Sequence, residues 1–159
     1  EDLDIFDGFN LDVEEEVELK DIVMLVNKLK QDFPDKSIIF APLEYSLATD
    51  TPGMGGFIYK DLDKLVGDKI EYYNTQCYNE YSIDLYNEMV NNGYNSNKIV
   101  MGMITGQDLN SIINEITKIK SKYKENFGGV AIWEYFNAPP SSPQKPYIWC
   151  EIMNKLLYN

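Results

Sequence analysis

Strand-like and helix-like patterns of apolar residues alternate along the chain. Residues 3–14 alternate apolar and polar positions with the period of a β-strand. Residues 17–33 place apolar side chains at helical spacing, and Pro34 ends that predicted helix. Further strands are predicted at residues 37–41, 69–78, 98–104 and 128–133, and further helices at residues 59–66, 83–90, 109–123 and 147–157.

The order of these elements is β-α, repeated five times. Residues 44–57, rich in Gly, Pro and Thr, are predicted to be a loop. Thr105 and Asp108 are interpreted as an N-terminal cap pair for the helix at 109–123. Strict alternation predicts parallel strands with crossover helices, in a doubly wound sheet or a barrel. Five units cannot close an eight-stranded barrel, so either three units are missing at the front or the sheet is open.

Composition narrows the possible functions. A net charge of −12, from 26 acidic and 14 basic residues, argues against nucleic acid as a partner but suits a neutral ligand such as a polysaccharide. No apolar run approaches the ~18 residues that a membrane helix needs, so no membrane partner is expected. The chain begins at Glu1 without a leader, as expected of a trimmed or excerpted chain.

The chain contains no histidine, which excludes several catalytic systems. Ser-His-Asp and Cys-His catalysis and His-based zinc sites cannot be built from it. Acid–base chemistry must therefore come from carboxylates, Tyr, Lys or Cys. Cys77 and Cys150 match no metal-binding spacing, and both are predicted to be buried thiols.

The polar face of the first strand carries candidate catalytic groups. Asn10, Asp12 and Glu14 lie at alternate positions, about 7 Å apart along one face. Stacked carboxyls repel and share a proton, and this keeps one of them protonated and able to donate to a leaving oxygen. A polar strand end followed by an acidic helix start is the simpler interpretation, but it does not explain the interleaved apolar residues. Asp7 has the opposite parity, and we interpret it as structural.

A known family carries the same pattern. Residues 6–14 read Phe-Asp-Gly-Phe-Asn-Leu-Asp-Val-Glu, which resembles the signature of glycoside hydrolase family 18 throughout its length. The segments at 39–42 and 128–133 look like that family's fifth and eighth strands, and the segment at 75–79 is similar to the Gln-x-Tyr-Asn strand of its plant class III and fungal chitinases. The resemblance implies a (β/α)8 TIM barrel, of which this chain supplies strands 4 to 8 and their helices. Residues 1–159 would then form the C-terminal part of a single catalytic barrel.

The resemblance also implies a reaction. Family members hydrolyse β-1,4 bonds in chitin by substrate-assisted retaining catalysis, without a cofactor or a metal, and most are secreted. Glu14 would be the acid and base, Asp12 its partner, and Tyr78 the residue that holds the substrate's acetamido group. Residues implied to contact substrate are Asn10, Gln76, Asn79 and Trp133. The family more commonly has Asp where this chain has Asn10.

Alternatives remain open at this level. A sugar-binding relative without catalysis, or an endo-β-N-acetylglucosaminidase, would share the same motif. A Mg²⁺ site built from Asp7, Asp12 and Glu14 on an open sheet is a third interpretation. The missing N-terminal part of the barrel would come from the same parent chain, another chain or self-association. Weaker candidates for subsite walls, for which packing or surface roles fit better, are Tyr45, Phe57, Tyr59 and Tyr135.

Overall fold

The computed structural model describes residues 5–141 and 143–158 and contains five parallel strands in one sheet. The strand order is β1-β2-β3-β4-β5, the order of the sequence. A doubly wound sheet reverses its strand order at a switch point, whereas a barrel does not. The chain is therefore five consecutive units of a (β/α)8 barrel. The strands are β1 Gly8–Leu11, β2 Ser37–Phe40, β3 Tyr72–Gln76, β4 Ile99–Ile104 and β5 Val130–Trp133.

Five longer helices connect or follow the strands, and one short helix was not predicted. The helices are α1 Leu19–Asp32, α2 Glu44–Ala48, α3 Tyr59–Val66, α4 Ile83–Asn91, α5 Leu109–Tyr123 and α6 Tyr147–Tyr158. The helix α2 lies inside the segment 44–57, so the prediction of a continuous loop there was wrong. Asp108 is the N-cap of α5, as predicted, and its carboxylate accepts a hydrogen bond from Ser111 N.

Alternate residues of the strands face two different environments. Side chains such as Phe40, Tyr73 and Met101 pack with the helices in one apolar core, and Met103 packs with α5 and α6 in a second. The intervening residues face the other side of the sheet, which is the interior of the barrel. The helices therefore cover one face only, and the opposite face is left for a site.

The strand register shows which residues of neighbouring strands lie beside Asn10 and Gln76. Asn10 pairs with Ile39 on β2, and Gln76 pairs with Gly102 on β4. Gly102 in turn pairs with Ala131 on β5. A Cβ added at Gly102 would lie 2.7 Å from the carbonyl oxygen of Thr75, so only glycine fits this close strand approach.

Two sequence predictions about local structure were wrong. The first strand ends at Leu11, so Asp12 and Glu14 lie just beyond it rather than within it; the predicted start at residue 3 lies outside the described residues. Cys77 is buried as predicted, but Cys150 is exposed, and both are free thiols. Trp149 and Met153, four residues apart on α6, face the core and turn the Cys150 position toward solvent.

No helix among the described residues is long and apolar enough to cross a membrane.

Packing of α3 can be tested with two leucines of that helix. Leu62 is fully buried and Leu65 is 60% exposed. Leu62→Ala is expected to lower the free energy of unfolding by about 2–5 kcal/mol, because it leaves a cavity in the core. Leu65→Ala should lower it by about 0.5 kcal/mol or less. Urea denaturation measures both, and equal losses would contradict the packing of this helix.

Candidate active site

A small cavity lies at the carboxyl ends of the strands, on the face that the helices leave open. It measures about 90 Å³. Its floor is built from small residues of neighbouring strands, Ala41, Gly102 and Ala131. Polar and aromatic side chains form the rest of the lining. They are Asn10, Asp12, Asn74, Gln76, Tyr78 and Trp133, with Thr75 and Ile132.

Five of the seven residues implied by the resemblance therefore meet at one place. Asn10 and Asp12 come from β1 and its end, Gln76 and Tyr78 from β3 and its end, and Trp133 from β5. The strand alternation explains the grouping, because residues two apart on a strand share a face. Cys77, between Gln76 and Tyr78, points to the opposite side and is buried in the core, as predicted.

A hydrogen bond joins the first and third strands across the cavity. The amide nitrogen of Gln76 donates to Asp12 Oδ1 at 3.1 Å and to the carbonyl oxygen of Ala41 at 2.7 Å. The two bonds use both amide protons of Gln76. Gln76 therefore orients the Asp12 carboxylate and leaves its second oxygen for another donor.

Tyr78 lies half-buried beside that carboxylate. Burial raises the pKa of the Tyr78 phenol above its usual range, and the negative charge of Asp12 raises it further. Both causes disfavour the phenolate. The phenol has no hydrogen-bond partner among the described residues, so a neutral O–H donor remains free beside Asp12.

Glu14 lies outside the cavity lining. It follows Asp12 by two residues, is exposed, and has no hydrogen-bond or ion-pair partner among the described residues. Its carboxyl group is therefore open to solvent, two residues along the chain from a residue that lines the cavity.

Asn79 is also absent from the lining, and the reason is a specific contact. Its amide donates to Glu44 Oε1 at 2.8 Å. Glu44 is 5% exposed, and its second oxygen, Oε2, has no partner among the described residues. Glu44 lies in the segment that was predicted to be a loop, and no pattern in the sequence indicated a role for it.

Gln107 is a second residue that the sequence analysis missed. Its amide nitrogen donates to the carbonyl oxygens of Cys77 at 3.0 Å and Tyr78 at 3.1 Å, and its Oε1 accepts from Ile104 N at 2.9 Å. The only signal in the sequence was a polar residue just after a predicted strand.

Of the four aromatic residues considered as weaker candidates for subsite walls, two are buried in the core and two are exposed. Phe57 and Tyr59 are buried in the core, so they are packing residues. Tyr45 and Tyr135 are exposed but do not line the cavity.

The magnesium interpretation has no geometric support. Among the described residues, no three His, Cys, Asp or Glu side chains come together in a way that could hold a metal ion. Asp12 lines the cavity while Asp7 and Glu14 do not.

Titration of Tyr78 tests the geometry of the site directly. Asp12→Asn should lower the pKa of Tyr78 only part of the way to its usual value, because burial is the larger cause of the shift. Fluorotyrosine NMR, with the Tyr78 signal assigned from Tyr78→Phe, measures this. Asp7→Asn is the control and should leave the pKa unchanged; an unchanged value in Asp12→Asn would contradict the arrangement.

No family model and no curated protein sequence matches the chain. Several solved structures match it. The structure superposes on a fungal endo-β-N-acetylglucosaminidase from glycosyl hydrolase family 18 with a TM-score of 0.89 and 33% identity, covering 96% of this chain and 57% of that one. A chitinase from Aspergillus fumigatus matches with a TM-score of 0.77 and 33% identity, covering 96% of this chain and 59% of that one.

A more distant match supports the fold alone. A family 18 chitinase from Pseudoalteromonas aurantia has a TM-score of 0.70 at 21% identity, with 96% of this chain and 61% of that one covered. The chain thus spans about three fifths of the length of the structures it matches. The chain therefore has the fold of a chitinase-type barrel of glycoside hydrolase family 18, and it supplies five consecutive units of that barrel's eight β/α units.

Proposed function

We propose that the protein hydrolyses β-1,4 bonds in chitin or chito-oligosaccharides by substrate-assisted retaining catalysis. The observation that carries this proposal is the grouping of Asp12, Gln76, Tyr78 and Trp133 around one small cavity at the carboxyl end of a family 18 barrel segment. Active sites of (β/α)8 enzymes lie at this end of the strands. The exposed carboxyl group of Glu14, two residues after Asp12, is the proposed proton donor.

The cavity, about 90 Å³ in volume and lined by polar groups, is the proposed site for the acetamido group of the substrate. Tyr78 donates its O–H to the acetamido oxygen, and Asp12 accepts from the acetamido N–H. Together they hold the oxygen for attack on the anomeric carbon, a proximity effect.

The reaction then proceeds in two steps that share one acid–base group. Glu14 protonates the glycosidic oxygen while the acetamido oxygen bonds to the anomeric carbon, which releases the leaving sugar and forms an oxazolinium ion. The negative charge of Asp12 stabilises the positive charge of that ion. Glu14, now a carboxylate, takes a proton from water as the water opens the oxazolinium.

Trp133 provides the apolar surface of the site. Its side chain is 63% exposed although it is large and apolar, and it lines the cavity at the end of β5. An exposed indole face packs against the C–H surface of a pyranose ring and loses little conformational entropy in doing so. Asn10 and Gln76 supply amides to the same interior. Asn79 is bound to Glu44, so its contribution to substrate binding is indirect.

Endo-β-N-acetylglucosaminidase activity is the second candidate. The TM-score of 0.89 with a fungal enzyme of that name favours it. The same cavity serves both activities, because each places an N-acetylglucosamine at the bond that is cleaved. Assays of chito-oligosaccharides beside a glycopeptide with a di-N-acetylchitobiose core decide between them, and the faster substrate identifies the activity.

The proton-donor role of Glu14 is tested by Glu14→Gln in the full-length protein. Loss of the general acid should lower kcat on chito-oligosaccharides by about 10²–10⁴-fold, with binding retained. Glu15→Gln, one residue along and also exposed, is the control and should keep the parent's kcat. A parent protein that binds the sugar but hydrolyses it no faster than Glu14→Gln would instead be a non-catalytic sugar-binding relative.

The remaining three β/α units are proposed to come from the same parent chain or from another chain. In the described residues, β1 and β5 each pair on one side only. A groove of about 910 Å³ lies beside the start of β5, lined in part by Gly128, Gly129, Leu156 and Leu157. Unpaired parallel edges next to apolar surface need a cover.

The 159-residue chain on its own is therefore expected to self-associate and to lack hydrolytic activity. Light scattering at several concentrations measures the first, and the chito-oligosaccharide assay the second. The protein carrying three further upstream units is the reference, and it should be monodisperse and active. An active monomer of the 159 residues alone would contradict this proposal.

A further inference from the structure

The turn that carries Tyr78 is held by a side chain from the neighbouring strand end. The ladder of β3 ends at Gln76, and Tyr78 lies two residues further on. The amide of Gln107 donates to the carbonyl oxygens of Cys77 and Tyr78, at 3.0 and 3.1 Å. The same side chain accepts from Ile104 N on β4 at 2.9 Å. One glutamine thus replaces the backbone ladder where the two strands separate.

A buried carboxylate holds the other side of the same turn. Asn79 donates to Glu44 Oε1 at 2.8 Å, and Glu44 is 5% exposed with its second oxygen unpartnered among the described residues. Burying a carboxylate is unfavourable unless its hydrogen bonds compensate for the lost hydration. Asn79 is the one side-chain partner of Glu44 in the described chain, so this contact joins the turn to the first residue of α2.

The contacts of the turn matter because no hydrogen bond of the phenol itself fixes its position. Tyr78 is half-buried, and its O–H has no hydrogen-bond partner among the described residues. The location of the phenol therefore depends on where the backbone of the turn lies. The side-chain contacts that set this backbone come from Gln107 and, through Asn79, from Glu44.

We propose that Gln107 is a positioning residue for Tyr78, with Glu44 holding Asn79 on the opposite side of the turn. The proposal rests on the role in substrate-assisted catalysis that is proposed above for Tyr78. Misplacement of a group that orients the reacting acetamido oxygen by about 1 Å can lower the rate by as much as ~10²-fold. Gln107 touches neither substrate nor the cavity, so its effect passes through Tyr78.

The first measurement is kinetic and uses Gln107→Glu in the full-length protein. Glutamate keeps the shape of the side chain and an oxygen for Ile104 N, but an ionised carboxylate cannot donate to Cys77 O or Tyr78 O. We expect kcat to fall roughly 10–100-fold with KM little changed. In a Tyr78→Phe background the same substitution should have no further effect, because both changes remove one function. Full additivity, or an unchanged kcat, would overturn the proposal.

Asn92→Ala is the matched control. Asn92 also donates its side-chain amide to a backbone carbonyl, that of Leu47 at 2.9 Å, but does not line the cavity. Its loss removes a bond of the same kind, so kcat should stay at the parent's value. Urea denaturation of both variants shows whether any loss of activity follows from unfolding instead.

The second measurement does not depend on catalysis. In the parent, burial and the charge of Asp12 raise the pKa of Tyr78. If Gln107 holds the turn, Gln107→Glu should broaden and shift the fluorotyrosine resonance of Tyr78 at a pH where the phenol is neutral, whereas Asn92→Ala should do neither. A Tyr78 resonance with the position and width of the parent's would overturn the positioning role, whatever the activity. An inactive parent with these spectral changes would overturn the proposed function and leave the positioning of Tyr78 standing.

Discussion

Parallel pairing in sequence order is the constraint on which the site depends. It brings the carboxyl ends of all five strands to one end of the sheet, so that residues distant in sequence become neighbours. Alternation along each strand then divides the side chains between the helix-covered core and the barrel interior. A slip of one residue in β3 would bury Gln76 among the helices and turn Cys77 into the cavity. The apolar core thus determines which polar groups meet.

Side-chain hydrogen bonds hold the site residues that lie beyond the ends of the strands. Beyond the last ladder residues the backbone is no longer held by strand pairing, yet Asp12 and Tyr78 lie in that region. Gln76 ties Asp12 to β3, and Gln107 ties the Tyr78 turn to β4. Gln76 donates two hydrogen bonds, and Gln107 both donates and accepts, so in each case a single side chain joins two strand ends. Rigid placement of this kind is what proximity catalysis requires.

The face of the sheet toward the helices is covered by packed apolar side chains, whereas the inner face of the barrel segment is open. Two apolar cores join the strands to the helices, while the interior face carries polar residues over a floor of small side chains. Closure by further strands would surround the cavity and exclude water, which strengthens the electrostatic interactions inside it. Trp133 is 63% exposed and ends β5, one of the two edge strands of the described sheet, where further strands would pair.

The order of the strands and longer helices, the parallel barrel segment and the grouping of five of the seven implied residues around one cavity could be predicted from the sequence. Periodicity marks which face each strand residue occupies, and the signature at residues 6–14 singles out Asp12 and its neighbours. The short helix α2, the exposure of Cys150 and the end of β1 at Leu11 could not be predicted. Each depends on contacts with distant segments that local patterns do not encode.

The sequence by itself determined which residues share a strand face, because that follows from a spacing of two along the chain. Only the tertiary structure decided the contacts between strand ends. It turned Asn79 away from the cavity toward Glu44, and it brought Gln107 onto the turn of Tyr78. Those contacts join residues 29 to 35 positions apart, and loops of irregular backbone set their distances. The spacing of apolar and polar residues does not predict these contacts, because they form only when neighbouring β/α units pack together.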